Sequence, residues 1–257
     1  MMPSLTTNSV AFSDVGLKRQ NNEDAFRTLE KEKFYILADG MGGHNAGEVA
    51  SSRAVEYMCS AMQTLMVPQK THSVDDLKSH LFALVENTNL WVHHLGAADP
   101  NLFGMGTTLS SCLLFGDKMI YSHVGDSRIY RYRAGKIEQI TKDQVVSRFP
   151  YEENTNEQQG ILDQQIPLEL QSSRKMLAQA IGTSILVAPE VDAVEAKVKD
   201  LFLICSDGLY DCVTDEKIEE TIGQCHTLKE CGNQLITLAK EGGGHDNITI
   251  VLIEISQ

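Results

Sequence analysis

Residues 107–133, with the sequence TTLSSCLLFGDKMIYSHVGDSRIYRYR, decide the fold, because they contain three short β-prone runs in succession. The runs are Thr107–Phe115, Met119–His123 and Arg128–Arg133. The segments at 115–118 (Phe-Gly-Asp-Lys) and 133–136 (Arg-Ala-Gly-Lys) are typical of β-hairpin connections. Since successive strands with no helix between them pair antiparallel, this stretch predicts an antiparallel sheet.

Helical patterns flank these strands on both sides. Before them, apolar residues recur at helical spacing over about 46–65 and about 74–95, and Ser73 with Asp76 resembles a capping box. After them, the sequence predicts a strand, two helices and a last strand, at Leu201–Cys205, Asp215–Ile222, Leu228–Lys240 and Asn247–Ile255. Helices segregated from antiparallel strands predict one α+β domain over residues 9–257, after a loose polar tail over residues 1–8.

Composition narrows the class of protein. The chain has 257 residues, of which 42% are hydrophobic and 22% charged, as in an ordinary soluble globular protein. It carries 35 acidic and 22 basic residues, and this net charge of −13 argues against non-specific binding to nucleic acid or anionic lipid. No signal peptide or membrane span is recognisable, and the six cysteines form no CxxC pair, as expected of buried free thiols. We therefore expect a cytoplasmic protein without nucleic-acid or membrane partners.

Three aspartates recur in one local setting. Asp39 and Asp207 each end an apolar strand and precede a glycine, and Asp246 stands just before the last strand. Strand ends hold carboxylates rigidly, so three of them from distant positions predict convergence at one end of a sheet. Crowded carboxylates repel unless a cation neutralises them, and oxygen ligands favour Mg²⁺ or Mn²⁺. Asp-Gly is also a common turn pair, so a plain turn is the alternative interpretation of each site taken alone.

Ordered motifs extend this pattern over nearly the whole chain. They are 13–19 (SDVGLKR) running on to 22–24 (NED), 39–44 (DGMGGH), 104–108 (GMGTT), 125–128 (GDSR), 206–211 (SDGLYD) and 243–249 (GGHDNIT). Taken together, these motifs resemble the metal-dependent serine/threonine protein phosphatases, the type 2C or PPM family, in its bacterial form. The resemblance implies a four-layer α/β/β/α sandwich with two central antiparallel sheets.

The resemblance also implies a site. Its metal ligands would be Asp39 as the bridging ligand, the Gly40 carbonyl, Asp207 and Asp246, with Glu23 and Asp24 acting mainly through metal-bound water and a third, weaker site at Asp126, Asp207 and Asp211. The implied cofactors are two Mn²⁺ or Mg²⁺ ions, with a third in bacterial members. Arg19 would bind phosphate, because its planar guanidinium offers a fork of donors to two phosphate oxygens.

His44 is a candidate general acid for the leaving alkoxide, because imidazole titrates near neutral pH. In animal members the corresponding histidine directly follows the Asp-Gly pair, where this chain has Met41. Orienting the turn or contacting phosphate is therefore an equal alternative for His44. Residues 143–175, rich in glutamine and acidic residues, match the flap of the family, a variable loop beside the active site.

The activity implied by the resemblance is direct hydrolysis of phosphoserine or phosphothreonine by a water that bridges two metal ions. The enzyme would be a monomer that opposes serine/threonine kinases, and its partners would be phosphorylated proteins and a cognate kinase with its substrates. One alternative is a non-catalytic regulator of the same fold that binds phosphoproteins. Another two-metal hydrolase, such as a phosphodiesterase, is a further alternative. The complete set of acidic ligands favours the phosphatase.

Overall fold

The computed structural model describes residues 5–42, 46–66, 72–147 and 175–257. Its strands are β1 (Thr6–Asp14), β2 (Asp24–Leu29), β3 (Phe34–Met41), β4 (Gly106–Thr107), β5 (Leu109–Phe115), β6 (Lys118–Val124), β7 (Arg128–Arg133), β8 (Lys136–Gln139), β9 (Val145–Ser147), β10 (Lys175–Leu177), β11 (Glu190–Glu195), β12 (Leu201–Cys205) and β13 (Ile248–Ser256). Its helices are α1 (Ala46–Leu65), α2 (Val74–Ala98), a 3₁₀ turn (Pro100–Leu102), α3 (Asp207–Tyr210), α4 (Asp215–Gln224) and α5 (Leu228–Glu241).

The strands form two large sheets and a small ribbon, all of them antiparallel. The six-stranded sheet has the order β11-β6-β5-β3-β2, with β4 paired to β3. The five-stranded sheet has the order β1-β13-β12-β7-β8, and β9 pairs with β10 in the ribbon. The antiparallel sheet predicted from residues 107–133 is thus shared between two sheets, because β5 and β6 lie in the first and β7 lies in the second.

Alternate residues of the central strands enter different layers of the core. In β3, Phe34 and Ile36 pack against α1 and α2, whereas Tyr35 and Leu37 face the second sheet. This follows from the period of two in a strand, and here both faces are apolar because both are covered. β3 is therefore a continuous apolar run rather than an alternating one.

The five-stranded sheet repeats this arrangement on the other side. Phe202 and Ile204 of β12 pack between the sheets, and Leu203 and Cys205 pack against α4 and α5. The layers are therefore α1 with α2, the six-stranded sheet, the five-stranded sheet, and α3 to α5. This confirms the predicted α+β class and the four-layer sandwich.

Several local predictions hold and others need correction. The predicted helices and central strands are present, and the capping box is real: Asp76 N donates to Ser73 Oγ at 3.1 Å and Ser73 N donates to Asp76 Oδ2 at 3.0 Å. The predicted loose tail is wrong at its described end, because residues 6–8 pair with β13 in β1. Most of the predicted flap lies outside the described residues, which include only its two ends, in β9 and β10. That residues 9–257 form one domain stays a prediction.

All six cysteines are free thiols, and four of them, Cys59, Cys112, Cys205 and Cys231, are buried. In the described part of the chain, no helix is both long and apolar enough to cross a membrane.

Candidate metal centre

The predicted aspartates meet where both sheets end, and not at one end of a single sheet. Asp39 lies near the end of β3 in the six-stranded sheet, and Asp207 and Asp246 lie just after β12 and just before β13 in the five-stranded sheet. β13 of the five-stranded sheet packs against β2 and β3 of the six-stranded sheet, and this packing brings these strand ends together. The prediction of convergence was right about the residues and wrong about the sheet, because the local pattern does not reveal that two sheets share the edge.

Asp39 is fixed by hydrogen bonds of its own backbone. Its N–H donates to Thr108 Oγ1 at 2.9 Å, and its carbonyl accepts from Thr107 Oγ1 at 2.8 Å. Gly40 is required beside it, since a Cβ there would lie 2.1 Å from the carbonyl oxygen of Gly47. This glycine therefore allows the end of β3 that carries Asp39 to approach α1 closely.

Asp207 is the first residue of α3 and follows the end of the predicted strand, at Cys205, by two residues. The intervening Ser206 accepts from Thr249 N at 3.0 Å and donates from Oγ to Asp24 Oδ2 at 2.9 Å. One hydroxyl therefore ties the start of α3 to β13 and to β2. Asp24 itself pairs with Asp39 in the register of β2 and β3.

Asn247 organises the segment that carries Arg19 and Glu23, a role that the sequence analysis missed. Its Oδ1 accepts from Glu23 N at 2.8 Å, and its Nδ2 donates to the carbonyls of Val15 and Asn21 at 3.0 and 2.8 Å. Three bonds from one buried amide hold residues 15–23 against the start of β13. The signal in the sequence was its position directly after Asp246, within the motif 243–249.

Mutual repulsion marks these acids as one cluster. Burial first, and then the carboxylates of Asp24, Asp207, Asp246 and Asp126, raise the pKa of Asp39 well above its usual range. Burial also raises the pKa of Asp207, reinforced in turn by Asp126, Asp246, Asp211 and Asp24. Each of the predicted aspartate ligands therefore lies within electrostatic reach of Asp39 or Asp207.

The outer acids of the cluster are affected in the same direction. Burial, with Asp246 adding to it, raises the pKa of Asp24 from 3.8 to about 6. Burial and then Asp143 raise the pKa of Asp126 from 3.8 to about 6. Burial raises the pKa of Glu23 as well, although nearby Arg19 opposes this shift. The cluster is thus a site where negative charge is unfavourable until something neutralises it.

The donor chemistry of the cluster fits hard divalent cations. The Oδ1 atom of Asp207 is buried and has no hydrogen-bond partner among the described residues, an arrangement that costs free energy unless a ligand satisfies it. The surrounding donors are carboxylate and carbonyl oxygens, which suit Mn²⁺ and Mg²⁺. Within the described ranges, no three acidic, thiol or imidazole side chains already form an assembled metal cage.

Arg19 is half exposed and donates from Nη2 to Asp246 Oδ2 at 2.7 Å. Burial alone would lower the pKa of Arg19, but Asp246, Glu23 and Asp207 raise it above its usual value. A positively charged guanidinium thus lies beside Asp246 and is accessible to solvent. His44, the candidate general acid, lies outside the described residues.

The comparisons with known proteins agree with this site. Residues 17–238 match the family model described as Protein phosphatase 2C. Serine/threonine protein phosphatase PstP of Mycobacterium tuberculosis is 36% identical over 259 residues, covering 98% of this chain and 46% of PstP, so the chain spans less than half of that relative. Protein phosphatase PhpP of Streptococcus pneumoniae is 31% identical, covering 95% of this chain and 96% of PhpP.

Solved structures agree as well. The crystal structure of the M. tuberculosis phosphatase PstP matches with a TM-score of 0.78 at 36% identity, covering 98% of this chain and 99% of the other. The catalytic domain of PstP in complex with two manganese ions matches with a TM-score of 0.77 at 36% identity, covering 99% and 100%. With a family match over most of its length and this shared fold, the chain belongs to the protein phosphatase 2C family.

Proposed function

We propose that this chain is a metal-dependent phosphatase that hydrolyses phosphoserine and phosphothreonine in proteins. The observation that carries the proposal is the cluster of mutually repelling carboxylates around Asp39 and Asp207, together with the buried Oδ1 atom of Asp207, which has no hydrogen-bond partner among the described residues. Divalent cations bound there would supply charge neutralisation, water activation and stabilisation of the phosphoryl group. The named relatives and the manganese-bound PstP domain support this assignment.

The residues of this chain divide the work. Asp39, Asp207 and Asp246 would hold the cations, with the Gly40 carbonyl as a further oxygen donor and Glu23 beside them. Asp126 and Asp211 would complete a third, weaker site with Asp207. These assignments rest on the shared edge of the two sheets and on the oxygen-only donor set.

Arg19 would bind the phosphate of the substrate. Its side chain is 49% exposed and stands over Asp246, so an incoming phosphate can reach its donors from solvent. The guanidinium matches two phosphate oxygens at once, which a single ammonium group does not. Arg19 would thereby orient phosphorus toward the carboxylate cluster.

We extend the proposal to its setting. The substrates would be phosphorylated proteins in the cytoplasm, modified by a cognate serine/threonine kinase, and the enzyme would act as a monomer. The cytoplasmic setting is supported by six free thiols, four of them buried, which is typical of a reducing compartment. The complete acidic set disfavours the non-catalytic alternative, because a binding module has no need of it.

The first experiment measures phosphate release from a phosphothreonine peptide with Mn²⁺, with Mg²⁺ and with EDTA. We expect release that depends on metal and is lost in Asp207→Ala. The matched control is Asp117→Ala, since Asp117 is an exposed aspartate in the β5–β6 hairpin, at the opposite end of the sheet from the site. Folded protein that releases no phosphate with either metal would move the assignment to a phosphoprotein-binding regulator.

A further inference from the structure

Tyr210 connects two parts of the proposed third metal site. It is the last residue of α3, the helix that begins with Asp207 and is followed by Asp211. Its hydroxyl donates to the backbone carbonyl of Asp126 at 3.0 Å. A single phenol hydrogen bond therefore ties the loop that carries one proposed ligand to the helix that carries the other two.

Arg128 packs its guanidinium against the face of the Tyr210 ring. The guanidinium carbon of Arg128 lies 3.6 Å from the centroid of the Tyr210 ring, a close cation–π contact. The same guanidinium donates to both carboxylate oxygens of Asp143 at 2.9 and 2.8 Å and to the hydroxyl of Tyr130 at 2.8 Å. With its side chain only 16% exposed, Arg128 is committed to these contacts and is not free to reach substrate.

The residue after Asp143 grips the same loop from its other side. Gln144 Oε1 accepts from Gly125 N at 2.8 Å, and Gln144 N donates to the Gly125 carbonyl at 2.8 Å. Gly125 has φ +105°, and a Cβ there would lie 2.7 Å from a methyl carbon of Thr108. The loop at residues 125–126 is thus clamped between residues 143–144 and the ring of Tyr210.

We propose that Tyr210 and Arg128 are positioning residues that set the distance between Asp126 and the Asp207–Asp211 helix, and thereby the affinity of the divalent cation that those three carboxylates share. The inference rests on the proposed function, because it requires a cation at this end of the cluster. Neither residue is a ligand or contacts phosphate. Their effect is exerted through the backbone of Asp126 and through the Tyr210 side chain, which links that backbone to α3.

The test measures Mn²⁺ binding to the 257-residue chain by the electron paramagnetic resonance signal of free Mn²⁺. We expect Tyr210→Phe, which keeps the ring and loses the bond to Asp126, to weaken the most weakly bound Mn²⁺ by about tenfold. This is the low end of the effect of residues that orient metal ligands. The tighter ions should keep their affinities within a factor of about two. Tyr121→Phe is the matched control, since it removes a phenol that donates to Glu190 at 3.0 Å instead.

A second variant tests the clamp from the other side. Arg128→Lys keeps a positive charge but loses the bidentate bond to Asp143 and the flat contact on Tyr210, so the weakest Mn²⁺ site should weaken at least as much. In both variants the Mn²⁺ concentration that gives half-maximal phosphate release should rise, and saturating Mn²⁺ should restore the rate. Thermal unfolding in EDTA confirms that each variant is folded.

The outcomes separate the inference from the proposed function. Phosphate release with two bound Mn²⁺ and no weaker third site in the wild type would overturn the inference and leave the function intact. So would a Tyr210→Phe variant whose weakest site matches that of Tyr121→Phe. A wild-type chain that binds no Mn²⁺ would overturn both. A selective tenfold weakening that Tyr121→Phe does not show would support the positioning role.

Discussion

Between the two sheets, Tyr35, Phe202 and Val251 are completely buried among apolar neighbours, whereas Asp39 and Asp207 crowd together at the edge of the same sheets. The same strands build both regions, since β3 and β12 are apolar up to the residues that lead into the acids. The interior gains free energy from every side chain that it buries, and the edge loses free energy by holding like charges close. A rigid, favourable interior is what keeps the unfavourable edge assembled.

The largest expected effect comes from a substitution in the acidic cluster that should lower activity while raising the stability of the metal-free protein. Asp39→Asn should reduce phosphate release by roughly 10³-fold, the scale of losing one main electrostatic contributor to a transition state. In EDTA the same variant should unfold at a higher urea concentration than the wild type, because one repelling carboxylate has been removed. Phosphate assays and urea unfolding at pH 8 measure both. A metal-free variant less stable than the wild type would show that the acids are not in conflict.

Truncation in the interior should have the opposite character. Phe202→Ala removes a fully buried ring between the sheets and should lower the free energy of unfolding by about 3–5 kcal/mol. Phe82→Ala is the control, because Phe82 is 40% exposed on α2 and should cost much less. Urea unfolding measures both variants in EDTA. Equal losses would mean that the space between the sheets is not the main source of stability.

The pH dependence of the metal-free protein should reveal the edge directly. Asp24 and Asp126 have a pKa of about 6 in the folded state against 3.8 as the ordinary value, so the folded state binds more protons between these values. Stability in EDTA should therefore fall as pH rises from about 4 through 6, by up to roughly 3 kcal/mol per group. The raised pKa values of Asp39 and Asp207 extend the loss to higher pH.

Urea midpoints in EDTA at pH 5 and pH 7.5 check this expectation, with Asp126→Asn as the matched variant. The wild type should lose more stability over this interval than the variant does. If the urea midpoint fell equally in the two proteins, the loss of stability would have to come from residues other than Asp126. Added Mn²⁺ should restore stability at the higher pH, because cations stabilise the deprotonated carboxylates.

The interior and the edge also differ in how far the sequence predicts them. Helices and central strands follow from apolar periodicity, which is why the boundaries of α1 match at Ala46 and Leu65. The sequence pattern predicts no strand at β1, β2 or β11, and each of these is the outermost strand on one side of a large sheet. Edge strands are half-buried and polar, so their local signal is weak and distant pairing partners define them.

At the acidic edge, sequence motifs identify the carboxylates but not what positions them. Asp39, Asp207 and Asp246 stand out because each follows or precedes an apolar strand. Tyr210 and Asn247 lie in the same motifs, but the motifs do not reveal their roles. The hydrogen bond of Tyr210 joins residues 84 positions apart, and those of Asn247 join residues more than 220 positions apart. Such contacts depend on how the two sheets meet, which no local pattern contains.

A smaller effect is expected from Arg19, the arginine proposed to bind phosphate. Arg19→Lys keeps the charge and loses the planar fork, so kcat/KM for a phosphopeptide should fall about 10- to 100-fold, the scale of one charged hydrogen bond. Arg53→Lys is the control, since Arg53 is an exposed arginine of α1 whose side chain is paired at 2.9 Å with Glu56. Steady-state kinetics measure both variants. A kcat/KM for Arg19→Lys within twofold of that of the control would remove Arg19 from the phosphate site.

The smallest expected effect concerns an exposed ion pair away from the acidic cluster. It tests whether charged contacts have a large effect on stability only where they are buried. Lys78 on α2 pairs with Asp192 at 2.7 Å, as short as the contact between Arg19 and Asp246, but the Asp192 side chain is 60% exposed. Lys78→Ala should lower the free energy of unfolding by less than about 1 kcal/mol, and high salt should shrink the difference further. Urea unfolding at low and high NaCl measures this. A loss as large as that of Phe202→Ala would show that short ion pairs stabilise this protein even where they are exposed. The repulsion among the carboxylates around Asp39 and Asp207 could then not be attributed to their burial.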